Sequence, residues 1–140
     1  MRKRLVLGAW VAWLTAGVFL LADSVGPAGR PASAPAPLSP AAIYRMQVRV
    51  YLSPAYIVAA QDLPPEALDQ IIATLESREP PAELAAIHQE MLAGYRFIRE
   101  GQQIKSTTPR SDGVRRAEGE FLVSWGVSRL LEAAGQLPEE

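Results

Sequence analysis

Apolar residues in the second half of the chain recur at intervals of three and four, which is the spacing of a buried helical face. One such stripe lies in LPPEALDQIIATLESRE and a longer one in PPAELAAIHQEMLAGYRFIREGQQI. Both segments contain a proline pair near their start, which favours helix initiation and separates successive helices. The pattern predicts two helices with inner faces of Leu68, Ile71, Ile72 and Leu75, and of Leu84, Ile87, Met91, Tyr95 and Ile98.

The segment MQVRVYL admits two interpretations, because its apolar residues alternate as in a strand while a wider set of apolar positions fits a helical stripe. No other stretch offers a convincing strand partner, and an isolated strand leaves its backbone groups without hydrogen bonds. We therefore predict a helix that begins at Ser39-Pro40 and is broken or kinked at Pro54, where Ser53 offers a second N-cap. Its apolar stripe is predicted to contain Ile43, Met46, Val50 and Ile57.

The last predicted helix, VRRAEGEFLVSWGVSRLLEAAG, follows the polar turn STTPRSDG and is expected to end with Gly135 as its C-cap. It has two apolar faces on nearly opposite sides of the helix. The first face contains Val114, Ala117, Phe121, Trp125 and Ser128, and the second contains Val123, Val127, Leu130 and Ala134.

The second of these apolar faces must be covered by another part of this chain or by another protein. Gly119 and Gly126 lie beside it and would allow another helix to approach closely. One interpretation is that the broken first helix wraps round and covers these surfaces within the monomer. The other is that a partner protein does so, together with contacts from the N-terminal segment and from Phe97, which points away from its own stripe. The partner interpretation predicts an interface of Trp10, Trp13, Phe97, Val123, Val127 and Leu130.

The N-terminal segment contains eighteen residues without a charge, from Leu5 to Ala22, preceded by the basic run Arg2 to Arg4. At about 1.5 Å per residue such a helix spans roughly 27 Å, close to the hydrocarbon thickness of a bilayer. The basic flank places the N-terminus in the cytoplasm and the remainder outside. We expect residues 1–24 to be a retained transmembrane signal-anchor, with cleavage of a signal peptide after Ser24 as the alternative.

The next stretch, residues 25–39, is rich in proline and alanine and cannot bury a core, so it is predicted to be a semi-rigid linker or stalk, or else a disordered N-terminus after cleavage. Residues 40–140 then form an extracytoplasmic domain. Short connections make successive helices antiparallel neighbours. The predicted fold is all-α: an N-terminal transmembrane helix, the stalk, and a small up-and-down bundle of three to four helices.

Composition excludes several kinds of chemistry. The chain has no cysteine, which rules out disulfides, thiolate metal sites and a Cys nucleophile. Its single histidine, His88, lies within an apolar stripe without a second metal-ligating residue at helical spacing, so we expect a packed residue and no metal. No phosphate-binding loop, dinucleotide fingerprint or nucleophile elbow is present. We therefore predict neither an enzyme nor a cofactor-binding protein.

Charge gives no reason to expect nucleic acid as a ligand, because beyond the N-terminal forty residues ten basic residues stand against fourteen acidic ones. One turn is locally basic, in IKSTTPRSDGVRR, at a predicted helix start that could hold an anion. Asp112 is equally well placed to cap that helix, which would leave an ordinary solvated loop. The residues of this candidate anion contact are Lys105, Arg110, Arg115 and Arg116.

These observations predict a structural or accessory subunit of a larger membrane protein complex, held at the bacterial cytoplasmic membrane with its helical domain in the periplasm or outside the cell. Its partners are then other membrane protein subunits and the membrane itself. The alternative is a cleaved, secreted or periplasmic bundle that binds a small ligand in a pocket lined by Trp125, Tyr95 and His88.

Overall fold

The computed structural model describes residues 35–138, and this part of the chain is entirely helical, with no β-strand. The all-α prediction is therefore confirmed for the described residues. Two short helices and one of middle length precede a long hairpin. The helices are α1 (Pro40–Val48), α2 (Pro54–Ala60), α3 (Pro65–Glu76), α4 (Ala85–Thr107) and α5 (Gly113–Gln136), with a 3-10 turn at Ala82–Leu84 before α4.

The helix starts follow the capping signals in the sequence. The Ser39 hydroxyl accepts a hydrogen bond from the Ala42 amide at 3.1 Å, and the Ser53 hydroxyl accepts one from the Tyr56 amide at 3.4 Å. Each serine is followed by a proline, whose fixed φ suits the first helical position. The segment containing MQVRVYL is thus helix followed by a turn, and the chain restarts as a helix at Pro54 as predicted.

Helices α4 and α5 form an antiparallel hairpin in which four glycines bring the two backbones into close contact. Gly94 faces Gly126, and Gly101 faces Gly119. A Cβ placed on Gly126 would lie 2.5 Å from the Gly94 carbonyl oxygen, and one on Gly119 would lie 2.8 Å from the Gly101 oxygen. These distances leave no space for a side chain, so the helix approach depends on glycine at these positions.

The apolar core lies on the inner faces of all five helices, with α3 packed against α4 and α2 against α5. The predicted inner stripes of α3 and α4 are buried in full, and the prediction is confirmed there. The largest completely buried side chains are Tyr95, Ile57, Leu68, Leu75, Leu84, Met91, Ile98, Leu130 and Val48.

Helix α1 buries a different face from the one predicted. Tyr44 and Val48 lie in the core, whereas Ile43, Met46 and Val50 are exposed. The periodicity of this short helix is compatible with burial of either face. The buried face is the one that contains Tyr44, whose hydroxyl is hydrogen-bonded to His88 on α4. The predicted stripe is therefore wrong for these three positions, although Ile57 on α2 is buried as expected.

Two further expectations concern the ends of the chain. Helix α5 continues through Gly135 to Gln136 and its C-cap is Leu137, so the predicted C-cap at Gly135 is wrong by two residues. No helix within residues 35–138 is both long enough and apolar enough to cross a membrane. The predicted transmembrane segment 1–24, and the linker up to residue 34, lie outside the described residues.

Candidate functional site

The outer face of α5 carries two exposed aromatic side chains one helical turn apart. Phe121 is 64% exposed and Trp125 is 45% exposed. Their rings stack with centroids 6.2 Å apart and planes inclined by 17°. Val114, two turns earlier on the same face, is also exposed. We call this surface, Val114, Phe121 and Trp125, the aromatic face.

A charged side chain holds the tryptophan ring in place. The guanidinium carbon of Arg129 lies 5.6 Å from the centre of the Trp125 ring, within the range of a cation–π interaction. The same guanidinium donates to Glu90 on α4 at 2.5 Å, and this hydrogen bond raises the pKa of Arg129. Trp125 is therefore positioned by an ion pair that is anchored on the neighbouring helix.

The opposite face of α5 is the core face, which corrects the predicted interface. Val123 and Leu130 are buried and Val127 is half-buried, because the glycines of α5 draw α4 against this side. Phe97 on α4 is half-buried. Neither Val123 nor Leu130 is available to a partner protein. Trp10 and Trp13, the remaining members of that predicted set, lie outside residues 35–138.

One arginine of the basic turn between α4 and α5 is hydrogen-bonded within the fold. Arg116 donates to the carbonyl oxygens of Lys105 at 3.2 Å and Thr108 at 3.5 Å, which satisfies groups at the end of α4. The Asp112 carboxylate accepts the Arg115 amide at 3.0 Å and caps α5. An anion at this helix start would compete with that carboxylate.

The other residues of the predicted anion contact differ in how exposed they are. Lys105 packs its side-chain stem against Gly119 of α5. Arg110 and Arg115 are exposed, and anion binding at this turn stays a prediction that concerns these two residues.

His88 is buried and bonded to one neighbour, as its place in the apolar stripe predicts. Its Nδ1 atom shares a hydrogen bond with the Tyr44 hydroxyl, which joins α4 to α1. Burial lowers the pKa of His88, because the charged imidazolium is poorly solvated there. Burial also raises the pKa of Tyr44, an effect that the nearby Arg78 charge partly offsets.

The ligand pocket that the sequence suggested is not formed by its three predicted residues. Tyr95 is completely buried in the core, where its hydroxyl donates to the Tyr51 carbonyl at 2.6 Å. Trp125 lies on the outer face of α5, on the far side of that helix from the core. His88 lies instead beside a shallow cleft next to Arg78 and Arg96.

Metal ligands do not gather anywhere in the described part of the chain: no three His, Asp or Glu residues there are arranged to hold an ion. The sequence matches no protein-family model, and no significant match was found among curated proteins or solved structures. The candidate site therefore rests on geometry alone, and its best-defined element is the aromatic face of α5.

Proposed function

We propose that this protein is an accessory subunit of a larger membrane protein complex, anchored by its N-terminal segment, with its helical domain outside the cytoplasm. The observation that carries the proposal is the aromatic face of α5. Exposed aromatic side chains that are held in a fixed orientation and accompanied by an arginine are typical anchors of protein–protein interfaces. The orientation here comes from ring stacking and from the Arg129–Glu90 pair.

The charges around this face favour a protein over an anionic surface as the partner. Glu118 and Glu132 flank the aromatic residues on the same side of α5, together with Arg115 and Arg129. Charges of both signs around an apolar centre suit a protein partner with a complementary rim. The carboxylates oppose close approach to anionic lipid or nucleic acid.

The anchored location is supported by the N-terminal sequence. Residues 5–22 are uncharged and follow three basic residues, and the proline-rich stretch 25–39 separates them from α1. An anchor of this kind keeps the domain at the membrane, where the aromatic face meets membrane-bound partners at a high local concentration.

The test is co-purification of the tagged full-length protein from bacterial membranes in mild detergent. The variants Phe121→Ala and Trp125→Ala remove the aromatic face, and Leu131→Ala is the matched control, because Leu131 is a similarly exposed apolar residue on another side of α5. Truncation of an interface anchor costs about 2 kcal/mol or more, which lowers affinity roughly thirtyfold. We expect membrane proteins to co-elute in a fixed ratio with the wild type and the control only.

Retention of the same partners by Trp125→Ala would show that the aromatic face is not the interface. An intact mass that starts near Val25, in a protein recovered alone from the soluble extracytoplasmic fraction, would contradict the anchored subunit as a whole. That result would favour the ligand-binding bundle instead, although with a pocket other than the one the sequence suggested.

A further inference from the structure

Helix α1 exposes a second apolar surface, of different character from the aromatic face. Ile43 and Met46 lie on the side of α1 that faces away from the core, and Val50, in the turn directly after the helix, is exposed as well. Met46 is 55% exposed, and Leu38, immediately before the helix, is exposed to a similar extent. All four side chains are aliphatic. We call this surface, Leu38, Ile43, Met46 and Val50, the aliphatic face.

The charged residues of the chain segment that carries the aliphatic face are basic. Between Ala36 and Gln61 the chain has no aspartate or glutamate, and its charged residues there are Arg45 and Arg49. Arg49 is exposed at the end of α1. Residues 62–140 contain fourteen acidic and eight basic residues. The segment that holds α1 and α2 is thus positive, and the rest of the domain is negative.

A groove borders the aliphatic face where the end of α1 meets the end of α5. Met46 and Arg49 lie along it, together with the apolar side chains of Leu52 and Leu137, and its volume is about 660 Å³. A cation beside a concave apolar surface is suited to a molecule with an anionic head and a hydrocarbon chain.

We infer that the aliphatic face of α1 rests on the surface of a bilayer that contains anionic phospholipid. An interfacial helix needs an apolar face to enter the headgroup region and basic residues to meet lipid phosphates, and α1 offers both. The absence of acidic residues from Ala36 to Gln61 removes the repulsion that Glu118 and Glu132 would cause at the aromatic face.

The inference rests on the proposed anchoring, because α1 has only nine residues and its apolar face is small. A free helix of this size binds a membrane weakly. Residues 23–39 are all that separate the apolar N-terminal run from α1. At no more than about 3.6 Å per residue this stretch spans at most roughly 60 Å, so an anchored N-terminal run would raise the local concentration of α1 at the bilayer and strengthen its weak binding.

The test uses the absence of cysteine from the chain, which makes single-cysteine labelling specific. Met46→Cys and Leu131→Cys, whose parent residues are 55% and 50% exposed, each carry an environment-sensitive fluorophore on the full-length protein. Both proteins are reconstituted into vesicles of phosphatidylcholine alone or with phosphatidylglycerol added. Lipids brominated on their acyl chains then report which label touches the bilayer.

We expect brominated lipid to quench the label at position 46 several-fold more strongly than the label at position 131, and more strongly when phosphatidylglycerol is present. Adding Arg49→Glu to the Met46→Cys protein should reverse the effect of phosphatidylglycerol, because the new carboxylate repels the anionic headgroups. Vesicle flotation after a carbonate wash measures anchoring separately in every sample.

Three outcomes would overturn the inference. A label at position 46 that stays in water although the protein floats with the vesicles would refute the α1 contact and leave the anchored subunit standing. A shielded label that brominated lipid does not quench would mean that protein, such as a second copy of this chain, covers the aliphatic face. A protein that fails to float would refute the anchoring and the inference together.

Discussion

The hairpin of α4 and α5 and the helix α1 are held in very different ways. In the hairpin, two pairs of facing glycines let long helices meet at backbone distance. Helix α1 contributes only Ala42, Tyr44 and Val48 to the buried apolar residues. Its polar attachments are the Tyr44–His88 hydrogen bond and a bond of 2.7 Å from Arg78 to Gln47. The domain thus combines a tightly packed pair of helices with a helix that is lightly attached.

Two buried polar atoms add to the weakness of the α1 attachment. The Nε atoms of Arg45 and Arg78 are buried, and neither has a hydrogen-bond partner within residues 35–138. A buried donor without a partner costs free energy that neighbouring contacts must offset. We therefore expect the stability of this domain to be concentrated in the hairpin and α1 to be the less stable part.

The largest effect is expected from Gly126→Val, which places a branched side chain where a Cβ alone would lie 2.5 Å from the Gly94 oxygen. The helices must separate, so we expect a loss of about 3 kcal/mol or more in the free energy of unfolding. Urea denaturation followed by circular dichroism measures it.

Gly135→Ala is the matched control, because Gly135 lies in the same helix with open space around its Cβ position. Here we expect a gain of about 0.5 to 1 kcal/mol, since alanine favours the helix. Equal effects of the two substitutions would contradict the close packing of the hairpin.

A smaller loss is expected from Tyr44→Phe, which removes the hydroxyl that bonds to His88 and leaves a buried ring nitrogen without its partner. We expect about 1 to 3 kcal/mol in the unfolding free energy at neutral pH. The control is Tyr56→Phe, since the Tyr56 ring packs edge-on against Tyr51 and its hydroxyl has no hydrogen-bond partner among the described residues. A loss no greater than that of the control would mean that the Tyr44 hydroxyl does not hold α1.

The pH dependence of the unfolding free energy should also report on the buried His88, which joins α4 to α1 through Tyr44. Burial lowers the pKa of His88 in the folded protein, so between that value and the ordinary histidine pKa near 6.5 the unfolded chain binds more protons. The contribution of neutral His88 is complete above about pH 6.5 and declines as the pH falls. Melting temperatures from pH 7.5 to 5 should fall more steeply for the wild type than for His88→Leu. Parallel curves would exclude His88 as the source.

The smallest effect is expected from Arg96→Gln, which removes the ion pair with Glu76 between α3 and α4. Both side chains are about half exposed, and such pairs contribute roughly 0 to 1 kcal/mol. The change in unfolding free energy should therefore stay below that of Tyr44→Phe, and added salt should reduce it further. A larger loss would mean that charge, rather than the packing of the apolar stripes, holds α3 against α4.

The sequence predicts those elements that have one apolar face. The stripes of α3 and α4 are unambiguous, and both are buried as expected. The capping signals at Ser39, Ser53 and Asp112 also predicted where three helices begin, because N-caps depend on local contacts. Periodicity thus gave these two helices and their share of the core, whereas the all-α class also depended on the lack of a strand partner for MQVRVYL.

Periodicity could not decide which side of α1 or α5 turns inward, because both helices have two apolar faces. For α5 the deciding signal was present, since Gly94 and Gly101 show the same seven-residue spacing as Gly119 and Gly126. Matching intervals on two helices joined by a short turn indicate that they pack against each other. For α1 the deciding contact joins Tyr44 to a residue 44 positions away, and no local pattern reports such a pairing.

The length of the hairpin determines how far its tip lies from the end that packs beside α1. Ala134 of α5 and Leu137, the C-cap of that helix, border the same groove as Met46 and Arg49 at the end of α1, so this end of the hairpin lies beside α1. At about 1.5 Å per residue, Trp125 and Phe121 stand roughly 18 and 24 Å along α5 from Leu137. Because the facing glycines repeat every seven residues, a heptad added to or removed from both helices keeps them in register. Such a change moves the tip of the hairpin by about 10 Å, which makes the pair a spacer whose length evolution can adjust in fixed steps.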